Sequence, residues 1–348
     1  MHLQRLDRAR RAGTMTRAKA SRWAVVLAGG QGMRLRSLIH QVYGDDRPKQ
    51  FAVLTGTKSL LRQTLDRATL LVPAERTLVV TMAGQMGYLA AELRQHPAIP
   101  CVIEQPMDRG TAAAILLSAH WILARDPQAV VVVLPSDHFV GDDGAFIDHV
   151  ARMAEAAVRH PERIILLGVR PTEPETDYGW IEPGGPLAAR GGPSVYQVRG
   201  FVEKPEPEVA NRLLGSGGLW NTFVLAARAA TLVEAGREHV PGLHERIVQI
   251  TAFTGSEHER WAVRQGYEFA PNRSFSRDVL ERCPARLGVM PLSGVSWRDL
   301  GTPRRVVEML EETGRGAPWL AAVRAACAAE PSRIERLCRL GHGVVNPG

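Results

Sequence analysis

A short buried strand that leads directly into a glycine-rich turn constrains the fold of this chain more than any other feature. Residues 24–27 are an apolar run typical of a central strand, and Gly29, Gly30 and Gly32 follow at once. Glycine reaches positive φ and has no Cβ, so the backbone N–H groups of such a turn can stay open to a ligand. Arg34 adds a permanent charge with a planar fork. By itself, a glycine turn after a strand is more typical of a structural turn, and a phosphate-binding turn is the alternative.

Two common phosphate-binding motifs are excluded by the residues that follow these glycines. A Walker loop requires Lys-Ser or Lys-Thr after its last glycine, and this chain has Met33-Arg34 there. A dinucleotide-binding fingerprint requires a third glycine at the place of Leu35. The kind of phosphate ligand therefore has to be inferred from other parts of the chain.

The positive charge of the chain is concentrated at its N-terminus. The formal net charge of the 348 residues is +7, and residues 1–22 contain seven Lys or Arg against Asp7, which accounts for +6. The remainder is nearly neutral, which argues against a broad nucleic-acid-binding face and a specific nucleic-acid partner. Residues 1–22 are predicted to form a basic, disordered leader, with contact to nucleic acid or anionic lipid as the alternative.

The cysteines and the apolar runs indicate the compartment. No apolar run approaches the ~18 residues that a membrane span requires. The four cysteines, at 101, 283, 327 and 338, are scattered and include no CxxC pair. This spacing predicts reduced thiols in a cytoplasmic protein rather than a zinc site or a disulfide framework.

Alternating strand and helix patterns predict the fold class. Helical patterns over 59–72, 84–95 and 110–125 alternate with strand patterns over 77–81, 100–103 and 129–134. This alternation predicts an α/β fold with a doubly wound, mainly parallel, Rossmann-like sheet, in which ligands gather at the carboxyl ends of the strands. The glycine turn and Pro135-Ser-Asp-His138 both lie at such ends.

The second half of the chain has a different order of strand and helix patterns. Strand patterns over 164–168, 178–182 and 194–203 predict a smaller mixed β region, and helical patterns follow over 206–214, 228–237, 241–253 and 302–312. Residues 317–340 are rich in Ala and Arg and predict a helical extension at the C-terminus.

Asp137 is the strongest candidate for a metal ligand. It follows the most apolar strand of the chain, where an Asp can simply cap a helix or form a turn. Beside a glycine turn on a neighbouring strand, an oxygen ligand for Mg²⁺ or Mn²⁺ is the better explanation. A hydrolase triad in Ser136-Asp137-His138 is excluded, because adjacent residues cannot act on one another as nucleophile, base and orienter.

Six segments of the chain, in order, resemble the motifs of sugar-nucleotide pyrophosphorylases, a nucleotidyltransferase family that joins a nucleoside triphosphate to a sugar 1-phosphate. They run from residue 23 to about 302. Two segments resemble the sequences typical of the mannose-1-phosphate guanylyltransferase (GDP-mannose pyrophosphorylase) branch, namely Lys49-Gln50-Phe51 and Pro135-Ser-Asp-His138. Lys49-Gln50-Phe51 completes the first segment, Leu27-Ala-Gly-Gly-Gln-Gly-Met-Arg-Leu35 with Pro48. The other four segments are Gln105-Pro106 with Gly110-Thr111, Val202-Glu203-Lys204-Pro205, Tyr178-Gly179-Trp180 with Trp220-Asn221, and Trp297-Arg-Asp299-Leu-Gly-Thr302.

The resemblance implies the nucleotide-diphospho-sugar transferase fold and a role for each matched residue. Catalytic cations would be Arg34, Lys49 and Lys204, and the metal ligands Asp137 and Asp299. Residues implied to bind the nucleotide, with Gln105 at the base, are Leu27, Ala28, Gly29, Gly30, Gly32, Gln105, Gly110 and Thr111. Residues implied to bind the sugar phosphate are Gly179, Glu203, Lys204 and Asn221.

Three of these assignments have a structural alternative. Helix capping is the competing explanation for Asp299, although Thr302-Pro303 is itself a good helix start. Core packing would explain Trp180 and Trp220, which the resemblance places in the sugar pocket. Two departures from the family pattern also concern that pocket: Asn221 is not followed by Ser-Gly, and Ser276 stands where mannose-type relatives have an Asp.

The implied reaction transfers guanylyl from GTP to mannose 1-phosphate with Mg²⁺ or Mn²⁺, by in-line attack on the α-phosphorus. The alternatives are another sugar 1-phosphate of heptose or glucose type, another nucleotide, or a catalytically silent regulatory protein that binds sugar nucleotides. The implied catalytic domain is 23–302, with a nucleotide half over about 23–160 and a sugar-phosphate half over about 161–302, followed by the extension 303–348. The oligomeric state stays open, with a homodimer as one alternative.

Overall fold

The computed structural model describes residues 21–94, 100–187, 195–317 and 319–320. Most of the predicted leader (1–20), most of the predicted C-terminal extension (321–348), and Gln95 and Ser194 at the ends of predicted elements lie outside these residues. The strands are β1 (Arg22–Leu27), β2 (Thr77–Met82), β3 (Cys101–Gln105), β4 (Val130–Pro135), β5 (His138–Val140), β6 (Ile164–Val169), β7 (Gly179–Pro186), β8 (Tyr196–Glu203), β9 (Leu219–Arg228), β10 (Leu287–Leu292) and β11 (Trp297–Asp299). The α-helices are α1 (Arg36–Tyr43), α2 (Leu60–Thr69), α3 (Met86–Arg94), α4 (Gly110–Arg125), α5 (Asp143–Arg159), α6 (Pro207–Gly215), α7 (Ala229–His239), α8 (Pro241–Thr251), α9 (Glu259–Glu268), α10 (Phe275–Asp278) and α11 (Pro303–Thr313).

Nine strands form one sheet in the order β3-β2-β1-β4-β9-β6-β10-β8-β7, and β7 also pairs with β9. Strands β1 to β4 are parallel to one another, and β6 and β10 form a second parallel pair. β9 is antiparallel to both of its neighbours, β4 and β6, and β8 is antiparallel to β10 and β7. The predicted mainly parallel α/β sheet is confirmed, and the mixed β region is one end of the same sheet.

Helices cover both faces of this sheet. Val131 and Val133 of β4 belong to one hydrophobic cluster, whereas Val130 and Val132 belong to another. Because successive side chains of a strand point to opposite faces, β4 is buried on both sides. α4 packs into the first cluster and α5 into the second. The longest of the described helices, α5, has 17 residues, and none of these helices combines the length and apolar character that a bilayer crossing requires.

A separate two-stranded sheet explains how the last motif reaches the centre of the molecule. β5 and β11 pair antiparallel, with His138 opposite Asp299 and Val140 opposite Trp297. β5 begins just after the carboxyl end of β4, so this pairing carries β11 to the same edge of the main sheet. The predicted ligand-binding edge therefore receives residues from both ends of the catalytic region.

Candidate active site

The pairing of β5 with β11 brings two carboxylates to one buried lysine. Lys49 Nζ lies 3.0 Å from Asp137 Oδ2 and 2.8 Å from Asp299 Oδ1. Lys49 is 4% exposed and begins a short 3-10 turn, Lys49–Phe51, after Pro48. Neither aspartate caps a neighbouring helix: Asp142 caps α5, and Thr302 caps α11. Helix capping, the alternative for both aspartates, is therefore wrong.

Opposite charges hold this cluster together. Burial lowers the pKa of the Lys49 ammonium, but the attraction of Asp137 and Asp299 is larger, and the net effect raises that pKa. Burial likewise would raise the pKa of the Asp299 carboxyl, but Lys49 and His138 hold it well below its usual range. Lys49 and Asp299 are therefore both ionised at neutral pH.

The donor set of this cluster fits a divalent cation. Asp137, His138 and Asp299 offer ligand atoms that all lie within 4.8 Å of one another. His138 Nδ1 is buried and has no hydrogen-bond partner among the described residues. Carboxylate oxygens are the ligands that Mg²⁺ accepts, and a cation offsets the repulsion between two of them. The residues predicted to bind metal are thus close enough to share one ion.

A buried glutamine fixes the glycine turn after β1. Gln50 Nε2 donates to the carbonyl oxygens of Ala28 and Gly30, each at 2.8 Å. In a trans peptide the N–H of the next residue points away from the carbonyl oxygen, so the N–H groups of Gly29 and Gln31 point away from Gln50. The turn therefore keeps donors free for a ligand while its acceptors are satisfied inside the protein.

Gly32 allows the lysine turn to approach the glycine turn. Its φ is +61°, and a Cβ at this position would lie 2.8 Å from the backbone nitrogen of Lys49. A side chain here would thus be strained and would push Lys49 away from Asp137 and Asp299.

Gln105, predicted to meet the nucleobase, is buried at the end of β3. Its Nε2 donates to the Tyr267 hydroxyl at 2.8 Å. Its Oε1 faces the glycine turn, 3.5 Å from the place that a Cβ on Gly29 would occupy. The side chain adjoins the predicted nucleotide site, and its contact with a base stays a prediction.

The start of α4 connects the two halves of the site. Gly110 has a φ of +77°, and a Cβ there would collide with the carbonyl oxygen of Arg273. Thr111 Oγ1 accepts a hydrogen bond of 2.9 Å from the backbone N–H of Phe275. These contacts join the predicted nucleotide residues to the segment that carries Ser276, and Thr111 and Ser276 both line the central cavity.

One cavity of about 420 Å³ contacts most of the predicted residues. Arg34 lies beside it: Arg34 Nη1 donates to Asp177 Oδ2 at 2.5 Å, and Arg34 Nη2 is 3.8 Å from Asp299 Oδ2. The predicted site residues that line the cavity are Leu27, Gly30, Thr111, Asp137, Gly179, Glu203, Lys204, Asn221 and Asp299.

On the sugar-phosphate side, Glu203 packs closely against Gly179. A Cβ at Gly179 would lie 2.7 Å from Glu203 Oε2 and 3.3 Å from Asn221 Cβ, so only glycine leaves room for this arrangement. Burial raises the pKa of the Glu203 carboxyl. Lys204 is exposed at the cavity and adopts a φ of +52°, a conformation that costs about 1–3 kcal/mol for a residue with a Cβ. Its backbone N–H donates to the Tyr178 carbonyl oxygen at 3.1 Å, which helps to fix this turn.

Trp180 and Trp220 pack in the core. They form a small hydrophobic cluster with Ala210 and Leu213, and Trp180 Nε1 donates to the Glu175 carbonyl oxygen at 2.7 Å. Among the described residues that line the cavity, neither tryptophan is present. Core packing is therefore the correct alternative for both.

The comparison with known families agrees with this arrangement. The profile of the family described as "Nucleotidyl transferase" matches residues 23–315. The chain belongs to this nucleotidyltransferase family. The matched range continues past residue 302, where the catalytic domain was predicted to end, and includes α11.

Several curated relatives of this chain carry mannose-specific names. The chain is 29% identical, over 84% of its length, to a Vibrio cholerae protein named "Putative mannose-1-phosphate guanylyltransferase". It is 31% identical, over 80% of its length, to "Mannose-1-phosphate guanylyltransferase 2" of Escherichia coli O157:H7. The matches cover 61% and 58% of those relatives, so the chain spans about three fifths of their length.

Solved structures confirm the fold of this chain. A crystal structure from Thermus thermophilus, described as a mannose-1-phosphate geranyltransferase, is 35% identical with a TM-score of 0.70, and the match covers 82% of this chain and 79% of that one. A Helicobacter pylori structure, described as a mannose-6-phosphate isomerase, has a TM-score of 0.63 at 21% identity, covers 80% of this chain and 100% of that one, and supports the fold alone.

The candidate site also contains residues that sequence reasoning missed. Asp177 pairs with Arg34, and Arg305 of α11 reaches towards Asp299. Gln85 Nε2 donates to the Gly30 carbonyl oxygen at 3.1 Å. Arg305 had one available signal, because it lies in the first turn of a helix predicted directly after the last motif. The other two pairings join distant segments and leave no local pattern.

Proposed function

We propose that this chain transfers guanylyl from GTP to mannose 1-phosphate, forming GDP-mannose and pyrophosphate. The observation that carries the proposal is the cavity lined jointly by the glycine turn, by Asp137 and Asp299, and by the Glu203-Lys204 turn. A nucleoside triphosphate and a sugar phosphate can meet only where such elements share one space. The names of the relatives support the guanylyl and mannose assignments.

The chemistry requires positioning and charge compensation rather than proton transfer. A phosphate oxygen of the sugar 1-phosphate is already anionic, so its attack on the α-phosphorus needs no general base. Lys204, exposed at the cavity, binds the incoming phosphate. Arg34 and Lys49 stabilise the negative charge that grows on the departing pyrophosphate. Gly29 and Gly30 let the nucleotide approach the backbone.

Asp137 and Asp299 are the residues that would hold Mg²⁺ or Mn²⁺. When bound there, the ion supplies charge stabilisation at the α-phosphate oxygens. Lys49 bonds both carboxylates in the structure, at 3.0 and 2.8 Å. With a divalent cation on those carboxylates, the Lys49 ammonium becomes free to turn towards the phosphates.

The sugar end of the cavity is built from Glu203, Asn221 and Ser276. Glu203 and Asn221 supply hydrogen-bonding groups for sugar hydroxyls, and Gly179 keeps the space between them open. Ser276 is 5% exposed and lines the same cavity as Glu203. Because Ser276 offers a shorter, uncharged group than Asp, the sugar is the part of the proposal that most needs a direct test.

The test is pyrophosphate release with a panel of nucleotides (GTP, ATP, UTP, dTTP) and sugar 1-phosphates (mannose, glucose, heptose). GTP with mannose 1-phosphate should give the highest kcat/KM, and Asp299→Asn should remove the signal. A tenfold advantage for another nucleotide or another sugar would overturn the corresponding assignment. Binding of GDP-mannose without pyrophosphate release from any pair would show a regulatory protein instead.

A further inference from the structure

Arg305 is a buried cation next to the proposed metal site that none of the motifs contains. It lies in the first turn of α11, where its backbone N–H donates to the Thr302 hydroxyl at 3.4 Å. Its side chain is 11% exposed, and its guanidinium carbon lies 4.7 Å above the centre of the Tyr178 ring. One arm, Nη2, bonds the Glu175 carboxylate. This arm and the ring contact fix the guanidinium in place.

The second arm of Arg305 has no hydrogen-bond partner among the described residues. Nη1 is buried and lies 4.0 Å from Asp299 Oδ2, too far for a hydrogen bond. Gly301 packs directly below: a Cβ there would lie 3.0 Å from Asp299 Oδ2 and 3.3 Å from Arg305 Nη1. Only a glycine at 301 lets the two groups approach. A shift of roughly 1 Å would close the gap to ordinary hydrogen-bond length.

Lys49 is the nearest partner of the Asp299 carboxylate in this structure. Its ammonium bonds Asp299 Oδ1 at 2.8 Å, whereas Arg305 Nη1 lies 4.0 Å from Oδ2. If Lys49 turns towards bound phosphates, as the proposed function requires, Asp299 loses its nearest partner. Arg34 is a poor replacement, because it is half-exposed and bonded to Asp177. Arg305 is buried and fixed beside Oδ2, the oxygen that Arg34 Nη2 approaches only to 3.8 Å.

We propose that Arg305 is the positioning residue of Asp299: its Nη1 donates to Oδ2 when substrates bind, and Oδ1 would then remain available as a metal ligand. This inference rests on the proposed function. Hydrogen bonds to ligating carboxylates orient them, and loss of such a partner typically weakens metal binding about 10–100-fold. A cation near a metal has the opposite electrostatic effect, because it repels the ion. Weaker metal binding after removal of Arg305 would therefore indicate positioning, and tighter metal binding would indicate an effect of its charge alone.

The experiment measures Mn²⁺ binding by water-proton relaxation, with GTP present and no sugar phosphate, so that no turnover occurs. Arg305→Met should raise the Mn²⁺ concentration at half-saturation about 10–100-fold. Arg305→Lys keeps the charge but offers one nitrogen, which cannot serve Glu175 and Asp299 together, and should give an intermediate value. Arg304→Met is the matched control, because Arg304 is exposed and pairs with Glu308 of its own helix.

Unchanged or tighter Mn²⁺ binding in Arg305→Met would overturn the proposal. If that variant does not fold, as judged by its melting curve, Arg305→Lys decides, and wild-type binding in it would overturn the proposal. Asp299→Asn separates this failure from failure of the metal site itself. If wild type and Asp299→Asn bind Mn²⁺ equally, the metal assignment is wrong and the role of Arg305 falls with it.

Discussion

Lys49 and Asp299 are 250 residues apart in sequence and are joined by a hydrogen bond of 2.8 Å. The same ammonium lies 3.0 Å from Asp137. Three motifs that are far apart along the chain thus meet at one buried charge cluster, and the cavity between the nucleotide and sugar residues opens beside it. This relationship carries most of the functional argument.

Removal of Lys49 should make the protein depend on a divalent cation for stability. In Lys49→Met the two aspartates lose their shared partner. Breaking a fully buried ion pair costs about 3–5 kcal/mol, and less is expected here because Asp137 is 39% exposed. The melting temperature should fall in chelator and rise with Mg²⁺ more than that of wild type. Lys58→Met, which breaks an exposed pair with Asp66, is the control. An equal response to Mg²⁺ in both variants would contradict the shared cluster.

Gln50 should govern the shape of the glycine turn. Gln50→Leu leaves the Ala28 and Gly30 carbonyl oxygens with only their longer bonds, from Thr81 at 3.2 Å and Gln85 at 3.1 Å, so the turn is held less firmly. The KM for GTP should rise, while the KM for the sugar phosphate stays nearly constant. Steady-state kinetics with each substrate varied would show this. Gln63→Leu, which removes a bond to one exposed carbonyl, should leave both values unchanged; a wild-type KM for GTP in Gln50→Leu would argue against the role.

Arg34, beside the cavity, and Lys204, which lines it, are exposed cations that should act at different stages of the reaction. Arg34→Ala should lower kcat by about 10²–10³-fold, because charge on the pyrophosphate grows towards the transition state. Lys204→Ala should mainly raise the KM for the sugar phosphate, whose charge is present from the start. Arg36→Ala is the control for Arg34, because Arg36 has a similar exposed pair with Asp46. If both variants changed only the KM for nucleotide, this division would be wrong.

Glu203 should make stability depend on pH. Burial raises its pKa in the folded protein, so the folded state binds a proton more tightly than the unfolded state. The stability that the protonated Glu203 carboxyl contributes is fully present below the unfolded pKa of about 4.3 and is lost as pH rises through the folded pKa. Over this pH range, Glu203→Gln should therefore become more stable relative to wild type. Urea unfolding of both proteins from pH 4 upwards tests this, with exposed Glu173→Gln as control; a difference that is constant with pH would count against it.

The parts of the fold that sequence analysis predicted are those with a local signal. α4 has the predicted bounds, because Ala and Leu at helical spacing continue from Gly110 to Arg125. β4 was recognisable from its valines, which are buried on both faces. The glycine turn was recognisable because Gly32 needs positive φ.

The parts that it missed depend on contacts between distant segments. β9 lies between β4 and β6, buried through most of its length, and therefore lacks the alternation that marks a half-exposed strand. α5 is an exception, because its signals are local: Asp142 caps it, and its buried residues recur at helical spacing. Arg305 and Asp177 became part of the site only when the pairing of β5 with β11 fixed the position of Asp299.

The most direct test of the account is a mutant cycle on Asp137 and Asp299, with pyrophosphate release from GTP and mannose 1-phosphate as the measurement. Asp137→Asn and Asp299→Asn should each lower kcat by at least about 10²-fold while the proteins still fold, because each removes a ligand of the same ion. The double variant should be little worse than either single one, since both changes disable one site. Losses that multiply fully in the double variant, or single variants with nearly wild-type kcat, would contradict a shared metal at the Lys49 cluster.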